Sequence, residues 1–565
     1  MKVYDCVPGL EFDEGADLAQ SPAWFLDGTH SVPAWTPMFG WFWVNFCRHG
    51  MQYGAESLQI PTTKGWDWRF KDGGGYLTII LVESDAEKAE RKVGFKKAIR
   101  PFLEDYDGLW SKFVDEMLGR YEKIKRVDGA TATGIDLLAN FEYAIDTCRR
   151  MWEIHMYMMY GTYMPYVLFE QLCKQLFGID DTHPVFLALM SGFDNESFRV
   201  DRALWEFARK AAEMGLKEVI MDSPPAETVP RLEATDKGRQ FLKEFKVFLD
   251  LKAGWRMERM AEINLPTWAE EPAPAFSRMK IYLRMDRDYD LDKEREKHEH
   301  ERKEAEKELL GRIAPEQRWW FSALLKIAQN SSRFSEEHNH YLDLYTHAMI
   351  RKVCVDMGRR FGASGTIDFP DDIFFLIPDE VRRAGINPDQ FRLQATVSRR
   401  RAEWKGWNSR GNPPVILRNG FGLDKAMELV IRSSDPIALK VVVGKLPEAK
   451  PELKADLLGT CGSPGTAEGI ARVVLDENDL VQIQEGDILV AASTSPSWTP
   501  IFGMIRGVVV DRGGALSHAA IVGREYGIPV VMNVFEGTTK LKSGQKIRID
   551  ANLGTVVVLT ESHAK

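Results

Sequence analysis

Ser517 and His518 follow the flexible pair Gly513-Gly514 in the string DRGGALSHAAIVGREYGIPVV, Asp511 to Val531. A strand over 507–510 feeds the glycine turn. The turn leads into a short helix from Ser517 to Tyr526, ended by Gly527. The first turn of a helix exposes unpaired N–H groups and a partial positive charge, and both favour an anion such as a phosphoryl group. A histidine there, neutral near pH 7, is a nucleophile able to take a phosphoryl group and pass it on. Arg512 and Arg524 are near enough in sequence to grip phosphate oxygens, and Gly514 and Ser517 bring backbone and hydroxyl groups to the same turn. A lone histidine at a helix start is more often a cap or a core residue, so the surrounding string must decide.

A second group of candidates lies on an expected helix over 331–352. Arg333, Glu337, His340, His347 and Arg351 recur near one face, and His338 shares the next face with Phe334, Tyr341 and Tyr345. A polar stripe beside an aromatic face suits a pocket for a phosphoryl acceptor. The plainer alternative is a solvated face with one Arg333–Glu337 pair. His155, set in the apolar run WEIHMYMMYGTYM, is a further candidate against the alternative of a core histidine, and Asp27 with His30 is another. His338, His340 and Glu336 are too weak a pattern to assign a metal, so no protein metal site is expected.

These residues must be positioned by elements of contrasting texture. Residues 1–85 are crowded with Trp and Phe, Lys71–Gly75 reads as a turn, and Tyr76–Val82 as a strand. From about Ser84 to Ile263 the apolar spacing is helical, with a break expected near Pro165 and a Pro-rich interruption at 265–276. The charged stretch 284–312 reads as a solvated helix, with His298-Glu299-His300 on its surface. Residues 400–425 read as a loop. The segment 445–458 mixes Pro with charge and reads as a flexible linker, able to reach about 40 Å if extended. Short β-branched runs punctuated by Gly then mark a compact domain over 459–565. The expected architecture is multidomain α+β. A large, mainly helical, aromatic-rich region over 1–444, divisible into lobes 1–270 and 271–444, precedes a compact β/β/α domain.

Composition narrows the partners. A net charge of −9 argues against a nucleic-acid surface. The most apolar run, Met156–Phe169, is too short to span a bilayer, so no membrane association is expected. Six cysteines without a CxxC pair, and no signal-peptide pattern, suit a cytoplasmic protein.

The string Gly513-Gly514, Ser517-His518, Ala520, Arg524-Glu525 and Gly527-Ile528-Pro529 closely resembles the swivelling phosphohistidine domain of the phosphoenolpyruvate-utilising enzymes. The upstream blocks CGSPGTAEGIARVV (Cys461–Val474) and STSPSWTPIF (Ser493–Phe502) match the same domain in the same order. The resemblance implies that His518 is catalytic, with a phosphohistidine intermediate. Leu516 stands where the dikinases of this family carry a regulated threonine, so that form of regulation is not expected. SEEHNHYLDLYTHAMIR and PDDIFFLIPDEVRRAG (within 331–385) and WFLDGTHSVPAWTPMF (Trp24–Phe39) look like the family's substrate domain.

No Gly-rich nucleotide loop is evident in the first 440 residues, where KDGGGY reads better as a hairpin turn, and only TESHAK follows the His domain. The order then resembles the His-bearing subunit of phenylphosphate synthase, and the substrate and His portions of rifampin phosphotransferase. The former implies ATP and Mg²⁺ bound mainly by a separate ATP-grasp subunit, and a small aromatic hydroxyl compound as acceptor. A rifampin-type antibiotic phosphotransferase component, or a phosphocarrier without acceptor chemistry of its own, are the alternatives.

Overall fold

A computed structural model describes residues 10–285, 290–410, 413–414, 416–418, 423–442, 455–475, 477–494 and 496–560. Packing divides the chain into two compact units. The first comprises residues through Gly161, Met260–Leu265 and Tyr341–Asp435. Its antiparallel sheet contains β1 (Ala23–Leu26), β2 (Thr63–Lys71), β3 (Gly74–Leu81) and β4 (Ile416–Arg418), in the order β2-β3-β1-β4. Asp72 and Gly73 both have positive φ, the condition for a tight two-residue hairpin, so KDGGGY is the β2–β3 turn. Trp66, Trp68 and Phe70 alternate along β2 and are buried. Asp435 holds this core together, accepting from Trp66 Nε1 at 3.0 Å and the Tyr160 hydroxyl at 2.7 Å.

The second unit comprises Thr162–Arg259, Pro266–His340 and the residues from Pro436 onward. Its helices, among them Glu196–Glu213, Asp236–Phe248, Ala273–Arg284 and Arg318–His338, enclose a core built on Phe241, Phe245, Phe276, Met279 and Trp268. Its sheet runs β5-β12-β11-β7-β8-β9-β10-β6. The strands are β5 (Leu457–Leu458), β6 (Thr460–Ser463), β7 (Thr466–Val474), β8 (Ile488–Ala491), β9 (Gly507–Val510), β10 (Val530–Met532), β11 (Lys546–Asp550) and β12 (Thr555–Thr560). Strands β7 to β10 are parallel neighbours, and antiparallel strands flank them. Buried parallel strands need apolar residues on both faces. Leu489, Ala491, Val508 and Val510 serve one core, and Ile488, Val490 and Val509 serve the other. The fold is thus mainly helical, with the compact sheet unit at the C-terminal end, as the sequence implies.

Several local expectations are corrected. The Gly134–Phe177 helix continues through Pro165, because burial of the residues around it, Tyr163, Met164, Tyr166 and Phe169, overrides the local preference. The charged Leu291–Gly311 helix is not wholly solvated. Leu291, His298, Ala305 and Leu309 form one buried stripe, so His298 is a buried residue. Helix Gln394–Ser409 occupies the first part of the expected loop. Of the expected linker, residues 445–454 lie outside the described residues, and Leu457-Leu458 pair with β12.

Candidate active site

The site grows from the carboxyl ends of two parallel strands, where ligands commonly bind in open α/β sheets. The chain leaves β9 at Val510 and turns through Asp511–Leu516 into the His518–Glu525 helix. Asp511 is buried and accepts from the backbone N–H groups of Gly537 and Thr538, which fixes the start of the turn. Gly513 donates its N–H to Asn533 Oδ1, and Leu516 donates to the Lys440 carbonyl at 3.0 Å. Ser517 sits at the helix N-cap, but its hydroxyl turns to Met532 Sδ and does not cap. The neighbouring strand β8 ends at Ala491, and Thr494 follows on the adjoining loop.

Two threonines bracket the His518 ring. Thr494 Oγ1 lies 2.8 Å from Nδ1 and Thr499 Oγ1 lies 3.2 Å from Nε2. With Nδ1 protonated, the ring donates to Thr494 and Nε2 accepts from Thr499, leaving Nε2 as the nucleophilic nitrogen. Loss of water around the ring, aided by the charge of Arg256, lowers the imidazole pKa to about 3. An imidazole with an ordinary value of 6.5 gains a proton as the pH falls through that value, and His518 does not. Its ring signals are therefore expected to stay those of a neutral imidazole down to about pH 5 in an NMR titration. A protonation midpoint near 6.5 would contradict the enclosed geometry.

In the same unit as His518, a buried polar cluster is linked to Thr499. Asp201, on the Glu196–Glu213 helix, is 1% exposed and is hydrogen-bonded to Thr499. Arg256 follows the 236–253 helical segment and is 2% exposed. Its Nη1 is 3.9 Å from Asp201 Oδ1, and its guanidinium lies over the Trp268 ring at 5.7 Å. Glu336 is 3% exposed on the Arg318–His338 helix. Burial pushes Asp201 up to about 7 and Glu336 up to about 8, partly offset in each by Arg256. His340 lies edge-on to Trp255, and burial together with the Arg256 charge lowers it to about 3.

Arg524 is buried and donates to the carbonyls of Gly462 and Ala515, so it braces the turn that carries His518. Arg512 is half-buried directly after Asp511. Arg333 and Glu337, 3.7 Å apart, line a cavity of about 360 Å³ with Arg199, Arg295, Arg302 and Glu299. His338 stacks on Phe334 and its Nδ1 lies 2.9 Å from that residue's carbonyl. The helix expected over 331–352 does not present one continuous face. A π-helical segment, Asn339–Leu344, interrupts it, and His347, Arg351, Tyr341 and Tyr345 belong to the first unit. Asp27, His30 and His155 also lie in that unit. There Asp27 holds His30 Nδ1 at 2.8 Å, and the His30 ring leans on Trp43 at 4.7 Å. Trp43 also packs against Trp35, Phe39 and Trp152. His155 stacks on Trp152, 3.5 Å from Asp343.

Comparison with known proteins places this geometry. Residues 483–554 match the mobile domain of PEP-utilising enzymes, and 153–336 match the fourth domain of rifampicin phosphotransferase. Residues 483–554 are thus a mobile domain of the PEP-utilising type. It is 30% identical to chondramide synthase of Chondromyces crocatus, over 95% of this chain and 14% of that one. It is 30% identical to a phosphotransferase of Bacillus subtilis, over 67% and 44%, and 27% identical to rifampicin phosphotransferase of Bacillus cereus, over 54% and 33%. The chain thus spans less than half the length of each of these relatives.

The matched mobile domain contains His518, Thr494 and Thr499 together. The two threonines lie in the Ser493–Phe502 block, which carried the resemblance but not their roles. Asp201 and Arg256 escaped the sequence reading altogether. They lie on separate elements, with no motif around either.

Proposed function

We propose that this chain is a phosphotransferase in which His518 accepts a phosphoryl group and hands it to a hydroxyl compound. The observation that carries this is the neutral, doubly hydrogen-bonded His518 ring at a helix N-terminus inside the matched mobile domain. ATP with Mg²⁺, held on a separate ATP-grasp polypeptide, is the proposed source, with AMP and phosphate as by-products. The His518 domain then moves on its linker to discharge. The proposed acceptor is a phenol-like aromatic, as in phenylphosphate synthase. Support comes from the ring cluster of Trp35, Phe39, Trp43 and Trp152 beside the Asp27–His30 pair, since aromatic surroundings favour an aromatic guest. An imidazole oriented by a carboxylate is also suited to take the hydroxyl proton.

A rifampicin-type acceptor is the second reading, favoured by the match over 153–336. The test supplies the chain with an ATP-grasp partner, ATP and a panel of simple phenols and rifampicin, and follows phosphorylated product. Product from simple phenols supports the first acceptor, and product from rifampicin alone supports the second. No product from any hydroxyl compound, with His518 charged, would leave only a carrier. His30→Gln is expected to slow transfer to a phenol by about 10²-fold or more, the usual worth of a positioned base. An unchanged transfer rate would remove the Asp27–His30 pair from the acceptor site.

A further inference from the structure

Arg256 is an anomaly on stability grounds alone. A buried guanidinium is tolerated when its charge and its donors are met. Here the Asp201 carboxylate stands at 3.9 Å, the outer limit of an ion pair, and Arg256 Nε and Nη2 have no hydrogen-bond partner among the described residues. Two buried acceptors nearby are in the same condition, Asp201 Oδ2 and Glu336 Oε1. Yet the charge of Arg256 reaches His518, Asp201, Glu336 and His340 alike. It is the electrostatic hub of a polar site whose groups are not satisfied by one another. A fixed planar fork of donors that the protein leaves open matches the oxygens of a phosphoryl group.

Resting on His518 as the phosphoryl carrier, we propose that Arg256 grips the phosphoryl group on His518 Nε2, with Asp201 and Glu336 completing its cradle. Nε2 faces Thr499, and Thr499 is bonded to Asp201, so a group on Nε2 enters the space that this cluster borders. An incoming dianion favours the protonated forms of the two carboxyls further. Burial favours their protonated forms, and a protonated carboxyl donates its O–H to a phosphoryl oxygen. On discharge, the acceptor oxygen forms its bond to phosphorus as the phosphorus–Nε2 bond breaks. The bonding pair returns to Nε2, and Nδ1 keeps the proton it shares with Thr494, so the ring leaves neutral. The hydroxyl proton passes to a base beside the acceptor. Arg256 keeps its charge throughout and balances that of the phosphoryl group as it moves.

The test charges the full chain with phosphoramidate, a small phosphorus–nitrogen donor that needs no partner protein, and follows phosphoimidazole by ³¹P NMR. Wild type is expected to show the signal. Arg256→Met is expected to form it about tenfold more slowly, and Arg256→Lys, which keeps the charge but loses the fork, to fall between the two. Thermal unfolding of both variants checks the fold, and Arg256→Lys carries the test if Arg256→Met does not fold. Equal rates and equal ³¹P shifts in wild type and Arg256→Lys, and in Arg256→Met where it folds, would overturn the role of Arg256 while leaving His518 as carrier. Absence of phosphoimidazole in wild type would overturn both.

Discussion

His518→Ala is expected to remove phosphoryl transfer altogether, a loss of at least about 10⁴-fold, the scale seen when a covalent nucleophile is deleted. Among the described residues, the other imidazoles near this unit's cluster are placed elsewhere. His340 is buried beside Trp255, and His298 lies near Gly527, beyond the far end of the His518–Glu525 helix. The substitution leaves the Thr494 hydroxyl without the ring it holds, at a cost of about 1–3 kcal/mol if no water replaces it, while Thr499 keeps its bond to Asp201. The sheet beneath is built from Val508, Val510, Val530 and Met532, none of which depends on the imidazole, so the variant is expected to fold. Residual transfer at a tenth of the wild-type rate would place the chemistry on another residue. The assay is product formation with partner and ATP, alongside thermal unfolding to confirm the fold.

Gly514→Val is expected to damage stability and transfer together. A Cβ at Gly514 would fall 2.1 Å from the Lys440 carbonyl oxygen and 2.3 Å from its carbon. Both are backbone atoms, so no side-chain rotation relieves the clash. Nor is Lys440 free to retreat. Its carbonyl accepts the Leu516 N–H, and its buried ammonium is paired with Glu170 and Asp181. The turn must therefore move, at about 1–3 kcal/mol for forced repacking. Because it leads directly into His518, a displacement of about 1 Å at the nucleophile costs around 10²-fold in rate. Lower unfolding temperature with a matching loss of transfer is the expected pair of results. Wild-type transfer in Gly514→Val would show that this contact does not set the position of His518.

The sequence made the His518 turn readable because its signals are local. A β-branched strand, two glycines, a histidine and a closing glycine follow one another within about twenty residues, and each follows its own conformational rule. The Asp-Gly hairpin between β2 and β3 was readable for the same reason. What failed were the assignments that depended on tertiary packing. Pro165 reads as a break until its buried neighbours are known. His298 reads as solvated because the charges around it hide a stripe spaced at seven residues. The polar face over 331–352 assumed an unbroken helical phase, which the π-helical segment at Asn339–Leu344 disrupts. Asp201, Arg256 and Glu336 are brought together from three distant segments, and no spacing rule connects them.

Chondramide synthase matches nearly the whole chain and rifampicin phosphotransferase about half of it.

The most direct measurement is the position of the label after incubation with an ATP-grasp partner and ATP labelled at the β-phosphorus. An acid-labile phosphoryl group is expected on the peptide that contains His518, lost when a hydroxyl acceptor is added. Label that never reaches that peptide, while product still forms, would contradict His518 as the carrier.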